Sequence, residues 1–312
     1  MVLRVIAAGV APLLASCALL LDTSGLTGSS ASDDGGGSPD GAASDAAVVV
    51  EGQAPPSTTC EDGGAAPPEC LAQIIPAKGL IVWLRADDGV ETSDDGHVKA
   101  WRDGAPKLRP GLVGNDATQT DVARQPRRIT EATGPVIVFD EAQTLELPPG
   151  FEDFTGGLTL FTAAWPRLNA GGSTGILFAL GMPPQQNDCG RTGELSFDAF
   201  SADFRVENVV VGATGIIDGR GWDVVSLVRP GQSSCAVEEA ITIRRGVEIK
   251  GTGKMYPLAK MIRSGARVGQ SNYFPNEFYG GKLGELLLYD RALDDGEIAR
   301  VTGYLLRRWP RP

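Results

Sequence analysis

The feature that most limits what this 312-residue chain can fold into is a succession of short segments rich in β-branched and aromatic residues. Each is closed off by Gly, Pro, Asn or Asp, and together they run from Lys78 almost to the end of the chain. Candidate strands are LIVWLRA (80–86), VKAWRD (98–103), PVIVFD (135–140), LTLFTAAW (158–165), GILFAL (175–180), ELSFDAF (194–200) and FRVENVVVG (204–212). Further candidates are WDVVSLVR (222–229), AITIRRGVEIKG (240–251), ARVGQ (266–270) and GELLLYDRAL (284–293). In ELSFDAF the apolar Leu195, Phe197 and Ala199 alternate with Glu194, Ser196 and Asp198, the pattern of a strand with one wet face. The Arg245-Gly246 step between ITIR and VEIK has the character of a tight hairpin turn. The expectation is an all-β, two-sheet antiparallel sandwich.

One helix is expected, from about Asp295 to Trp309. Asp294 can cap it, and Glu297 three residues on completes a capping box. Ile298, Val301, Leu305 and Trp309 recur at helical spacing and share a face that the sandwich must cover. Arg300, Arg307 and Arg308 are expected to be exposed, the last two suiting the negative end of the helix dipole.

Charge divides the chain. Residues 18–77 hold nine acidic residues and no Lys or Arg, whereas residues 78–312 hold 30 acidic and 27 basic ones, so most of the net −11 belongs to the tail. Electrostatic capture of nucleic acid needs clustered positive charge, and the sequence shows no such cluster. Between residues 22 and 59 the chain is built from Gly, Ser, Ala, Asp and Pro without an aromatic residue. Such a segment cannot bury enough apolar surface to offset its ordering entropy. About 42 flexible residues give a root-mean-square reach of roughly 35 Å, which suits a spacer.

Residues 2–16 read VLRVIAAGVAPLLAS: one early cation, Arg4, then an apolar run too short for a comfortable span of about 20 residues and interrupted by Pro12. The run ends in Leu14, Ala15, Ser16 and Cys17, which resembles the lipobox of bacterial lipoproteins. That resemblance implies cleavage before Cys17, a diacylglyceryl thioether on its sulfur and, in many bacteria, a further acyl chain on its amine. The expected organisation is a signal peptide (1–16), a lipidated acidic tether (17–77) and a folded domain (78–312). The expected location is the cell envelope, in the outer membrane and facing periplasm or exterior. Four cysteines remain, and in an exported chain an even set implies disulfides with three possible pairings. Cys60 with Cys70 and Cys189 with Cys235 is the favoured set, the first clipping a short Pro-rich segment and the second joining two loops.

A second resemblance covers nearly all of residues 78–309. IVWLRADDGVETSDDGHVKAWRDGAP, then GNDATQT, ARQPR and VIVFD, and finally GGKLGELLLYDRALDDGEIARVTGYLLRRW, are similar to the laminin-G-like (concanavalin A-like lectin/glucanase) domains. The resemblance implies a jelly-roll sandwich with a closing strand and a capped carboxyl-terminal helix. GWDVVSLVRPG departs from the family in placing Asp223 where histidine often stands. Such sandwiches host lectins, adhesins, glycosidases and inert modules, so function must be sought in the residues.

A glucanase of this superfamily needs carboxylates alternating on one strand, and no Glu-x-Asp-x-Glu run occurs. Glu194, Asp198 and Glu207 are read as solvent-facing strand residues. The single histidine, His97, sits in turn chemistry with Ser93, Asp94, Asp95 and Gly96, and no phosphate-cradling Gly-x-x-x-x-Gly-Lys loop is present. Calcium is the cofactor to weigh, because hard cations gather carboxylate and carbonyl oxygens. Asp87, Asp88, Asp94 and Asp95 are the richest supply, and Asn115 with Asp116 is a second group. Tyr273, Phe274, Asn276 and Tyr279 in SNYFPNEFYGG combine rings with hydrogen-bonding groups, as a sugar platform requires, on a loop. Trp83, Trp101 and Trp222 fall in strand patterns and are expected in the core.

The resulting expectation is a surface-anchored, non-catalytic, lectin-like domain for extracellular glycan or protein ligands. The alternatives are an envelope-structural or adhesive lipoprotein and, behind both, an extracellular glycosidase. Mass spectrometry of the mature amino-terminal peptide is expected to find Cys17 as the first residue, carrying lipid; an unmodified Cys17 inside a longer amino terminus excludes the anchor.

Overall fold

Period-2 alternation resolves into two stacked antiparallel sheets closed by one amphipathic helix. The computed structural model describes residues 68–311 apart from 141, 168–174, 182–194, 199–202, 207–208, 213–218, 232–238, 257, 259, 273 and 275. In chain order the elements begin with α1 (Pro68–Ile74), β1 (Leu80–Arg85), β2 (Val90–Thr92), β3 (Val98–Trp101), α2 (Ala105–Leu108) and β4 (Ala117–Thr118). There follow β5 (Arg127–Glu131), β6 (Gly134–Asp140), β7 (Leu145–Leu147), the long β8 (Gly157–Pro166) and β9 (Ile176–Leu180). Next come β10 (Leu195–Asp198), β11 (Asp203–Val206), β12 (Val209–Val211), β13 (Asp223–Pro230) and β14 (Glu239–Arg245). The last are β15 (Glu248–Met255), β16 (Ala266–Val268), β17 (Gly280–Tyr289) and α3 (Asp295–Arg308).

The first sheet runs β15-β14-β13-β8-β17-β6-β5 with β1 also paired to β17, and the second runs β12-β11-β10-β9-β16-β7-β4-β3-β2. All of these pairings are antiparallel. Since β1 pairs with β17, the first and last strands of the domain are neighbours. Between the sheets lies a core of Val82, Leu84, Trp101, Phe139, Leu160, Phe178, Phe197, Phe204, Leu283 and Leu286 with their neighbours. A second apolar layer covers the other face of the first sheet. There Trp83, Phe161, Val224 and Leu287 meet Leu71 and Ile75 at α1, and Ile298, Val301, Tyr304, Leu305 and Trp309 at α3. Strand β8 is therefore buried on both faces, which is why LTLFTAAW carries almost no charge.

Helix α3 has the expected capping box: Asp294 Oδ1 accepts from Glu297 N (2.8 Å) and Glu297 Oε2 from Asp294 N (3.1 Å). The expected β14–β15 hairpin is present too. Arg245 faces Glu248, and Gly246 adopts φ +57°, a conformation that glycine reaches without strain.

Four differences have physical causes. The run 204–212 is two strands, β11 and β12, folded onto each other with Val206 opposite Val209. Strand β10 has no wet face, because Ser196 and Asp198 are buried as well as Leu195 and Phe197. Residues 68–77, expected in the tether, instead include α1, whose Leu71 is buried together with the following Ile75 in the layer under α3. Arg308, expected to be exposed, is not: its side chain is 11% exposed and reaches Asp87 (2.5 Å) and Glu285 (2.7 Å). Among the described residues no helix is long and apolar enough to cross a membrane. Cys70 is buried on α1, while Cys17, Cys60, Cys189 and Cys235 lie outside the described residues.

The position of Glu285 follows from one irregularity. On β17, Leu283, Leu286 and Leu288 belong to the inner core, while Leu287 and Tyr289 belong to the outer layer. The register shifts between Leu283 and Glu285, a bulge at Gly284 that puts Glu285 on the outer face beneath α3. A Cβ on Gly284 would lie 2.5 Å from the Trp309 indole, so only glycine admits this closure. Glu285 is fully buried, accepting from Tyr304 Oη (2.8 Å) and Trp83 Nε1 (3.4 Å) and facing Arg308. Asp87 bridges the arginines, 2.9 Å from Arg85 and 2.5 Å from Arg308. Burial raises the Glu285 pKa, with the charges of Arg308 and Arg85 opposing it. Burial acts upward on Asp87 as well, but hydrogen bonds and charge from Arg308 and Arg85 outweigh it and hold the carboxyl below its usual range.

Removing one partner of a buried ion cluster strands the rest, so Glu285→Ala is expected to cost about 3–5 kcal/mol in urea unfolding. A cost below about 1 kcal/mol would show that the cluster contributes little. A depressed carboxyl stabilises the fold above its unfolded pKa and loses that contribution as pH falls through the folded value. Asp87→Asn should therefore be less stable than the wild type near pH 6, and the gap should close as the pH approaches about 2.

Candidate functional site

The residues expected to form a sugar platform are only partly brought to the surface. Tyr279 is buried: its ring packs edge-on against Phe139 at 5.8 Å and its hydroxyl donates to the Lys282 carbonyl at 2.8 Å. It is a core residue, and the hydrogen bond is what lets a phenol be buried there. Phe274 is 39% exposed, with the Arg205 guanidinium 5.6 Å from its ring centroid, and Asn276 is exposed. Tyr273 lies outside the described residues. The turn is held by Phe274 N donating to Ser271 Oγ (2.9 Å) and Glu277 N to the Phe274 carbonyl (2.9 Å). Among the described residues of this expectation, Phe274 beside Arg205 and Asn276 are at the surface and Tyr279 is not.

The acidic residues considered for calcium are engaged separately. Asp87 belongs to the buried cluster under α3, and Asp88 pairs with Lys107 at 2.5 Å. Asp94 is exposed, while Asp95 accepts from the Ser93 hydroxyl and sits 3.5 Å from His97 Nε2. Asn115 and Asp116 organise loops. Asn115 Nδ2 donates to the Ile81 carbonyl (2.7 Å), and Asp116 accepts from Asp103 N (2.8 Å) and Arg102 (2.6 Å). Asp103, which the sequence pattern did not single out, ties the region together by accepting from the backbone of Trp83, Ala105 and Asn115. Except at the exposed Asp94, cations, hydroxyls and backbone amides thus engage the oxygens that a metal shell would use. Among the described residues no group of three or more His, Cys, Asp or Glu side chains is placed to hold a metal ion.

The carboxylates weighed for glycosidase chemistry do not form a described site either. Glu194 and Glu207 lie outside the described residues, and Asp198, expected to face solvent, is buried. Asp223, at the position where the resembled family often has histidine, is buried and bonded to Arg245 (Nε to Oδ1, 2.7 Å).

A concave site exists elsewhere, on the outer face of the first sheet. It is a cleft of about 470 Å³ lined by Val138, Trp165, Pro166, Arg167, Gly219, Arg220, Gly281 and Lys282. Register builds its floor, since Lys282 is directly opposite both Trp165 and Val138. Trp165 is half-buried, its Nε1 donating to the Gly219 carbonyl (2.8 Å) and its ring edge-on to Trp222 at 6.2 Å. Trp222 in turn packs on Trp309 at 4.5 Å, so the end of α3 supports the indole. Lys282 Nζ lies 4.4 Å from the Trp165 ring centroid and 2.5 Å from Glu131. Arg167 pairs with Asp140 at 2.5 Å, and its backbone N donates to the Gly280 carbonyl. Gly281, at φ +144°, is required here, because a Cβ would lie 2.5 Å from the Trp165 carbonyl oxygen. The sequence pattern placed Trp165 in a strand and gave it no further role; its position one residue before Pro166 and Arg167, at a strand end, was the available signal.

No family model and no curated protein matches the chain. Among solved structures, the binding domain of Paraclostridial Mosquitocidal Protein 1 is similar at 12% identity and TM-score 0.48, over 72% of this chain and 52% of that one. Domain 4 of a Geobacillus stearothermophilus extracellular arabinanase, in complex with arabinotriose, gives 15% identity and TM-score 0.43 over 72% and 98%. A Trypanosoma rangeli sialidase in complex with sialic acid gives 16% and 0.44 over 73% and 33%. The chain thus spans about half of the first structure and a third of the sialidase.

The separate engagement of the acidic residues generates a test: millimolar calcium is expected to leave the melting temperature unchanged. A calcium-dependent rise that Asp87→Asn or Asp94→Asn removes would restore a metal site.

Proposed function

We propose that this chain is a non-catalytic binding domain whose Trp165 cleft takes extracellular glycan, displayed from a lipidated Cys17 on an acidic tether. The observation that carries the reading is the cleft itself: an indole wall set among Arg167, Arg220 and Lys282 in a concavity of about 470 Å³. That volume lies within the usual range for small-ligand pockets, about 300–1,000 Å³. Sugars present apolar CH faces and rings of hydroxyls, so an aromatic surface with convergent donors suits them. Most glycosidases cleave the bond with two carboxyl groups flanking it, and the described lining contributes none, which favours binding over hydrolysis.

The tether reading supports the same function, since a spacer of the expected length holds a binding face clear of lipid headgroups. The favoured disulfides, Cys60 with Cys70 and Cys189 with Cys235, belong to this exported reading as well, and the first would fasten the chain beside α1.

On a glycan array the full chain is expected to bind a restricted set of glycans, with binding lost in Trp165→Ala and retained in Phe274→Ala. Circular dichroism of both variants checks that the fold is intact. Loss in Phe274→Ala alone would transfer the site to the 271–279 loop, and a blank array would favour the adhesive or structural alternative.

A further inference from the structure

We propose that the Trp165 cleft selects carboxylate-bearing sugars over their neutral counterparts. This rests on the reading of the cleft as a glycan site and specifies what that site recognises. The described lining holds three cationic side chains, Arg167, Arg220 and Lys282, and no acidic one. Asp140 pairs with Arg167 and Glu131 with Lys282, and neither acid is among the described lining residues. An ammonium has three donors and a guanidinium five, so a single carboxylate partner leaves donors over on both Lys282 and Arg167. The existing pairs orient these side chains before any ligand arrives.

The Trp165 ring decides between charged and neutral ligands. Lys282 Nζ stands 4.4 Å from its centroid, and register holds the lysine there, because Trp165 and Lys282 are cross-strand partners on β8 and β17. A neutral pyranose stacking on the face that Lys282 covers would have to displace an ammonium that is favourably placed over the ring and paired with Glu131. A carboxylate on the sugar meets that ammonium where it already stands. Arg167 adds a planar fork matched to two carboxylate oxygens, a geometry lysine cannot supply.

Long-range attraction does not contribute, since residues 78–312 carry 30 acidic against 27 basic residues. Selectivity for the anion is therefore local to the cleft.

The test measures binding of the full chain by calorimetry to oligogalacturonate and to its methyl ester, which keeps the ring and removes the charge. A second pair, hyaluronan hexasaccharide and its carboxyl-reduced form, repeats the comparison on another backbone. In at least one pair the acid is expected to bind about tenfold or more tighter than the neutral partner. Lys282→Gln and Arg167→Gln should each shrink that ratio while leaving the circular dichroism spectrum unchanged. Equal binding of acid and neutral partner, lost in Trp165→Ala, would overturn the charge preference and leave the glycan reading standing. If neither pair binds and the array yields only neutral ligands dependent on Trp165, the preference is likewise overturned. An absence of binding to any glycan overturns both.

Discussion

A carboxylate with no access to water is the constraint around which the outer half of this domain is arranged. Glu285 is fully buried, and an isolated buried charge is far more costly than the hydrophobic contacts around it can offset. Its partners come from separate parts of the chain: Trp83 on β1, Tyr304 near the end of α3 and Arg308 in its last turn, with Arg85 and Asp87 extending the cluster. The carboxylate is satisfied only when strand, closing strand and helix are all in place. Hydrophobic burial can hold α3 against the sheet in several ways, whereas the cluster permits one register.

The same bulge connects that constraint to the cleft. Without the extra residue at Gly284, the outward alternation of β17 could not include both Lys282 and Glu285. With it, one side chain enters the buried cluster while the other borders the cleft. Gly284 also receives the Trp309 indole, and Trp309 leads through Trp222 to Trp165. The wall of the cleft is therefore the last member of a row of aromatic rings that starts where the helix ends. An aromatic surface supported in this way keeps its orientation without a ligand, so less ordering entropy is lost on binding.

Much of the fold was legible because its signals are local. The β-branched and aromatic runs LIVWLRA and PVIVFD, the Gly246 turn and the Asp294–Glu297 box all depend on neighbours within a few residues. Strands β2, β4, β5 and β7 were missed. Three of them are two or three residues long, and Arg127–Glu131 is polar because it is an edge strand with little burial. Arg308 illustrates the limit for charge. Its place in the last helical turn is consistent with exposure, and only the partnership with residues some twenty and two hundred positions away reverses that. Tyr279 and Phe274 sit five residues apart in one aromatic segment, yet one is core and the other surface, since loops carry no period from which facing can be read.

The location of the candidate site follows from how two-sheet proteins use their outer faces. The inner faces are spent on the core, and on the first sheet α3 with α1 covers the outer face of the central strands too. The candidate cleft lies on a part of that face bounded by Trp165, Val138 and Lys282. A bare sheet is flat and gives a ligand little to enter, but here Gly219 and Arg220 stand beside the Trp165 indole, and concavity arises where they meet the sheet. Residues that are unremarkable in sequence, a tryptophan at a strand end and a lysine across from it, become a candidate site because register sets them side by side next to Gly219 and Arg220.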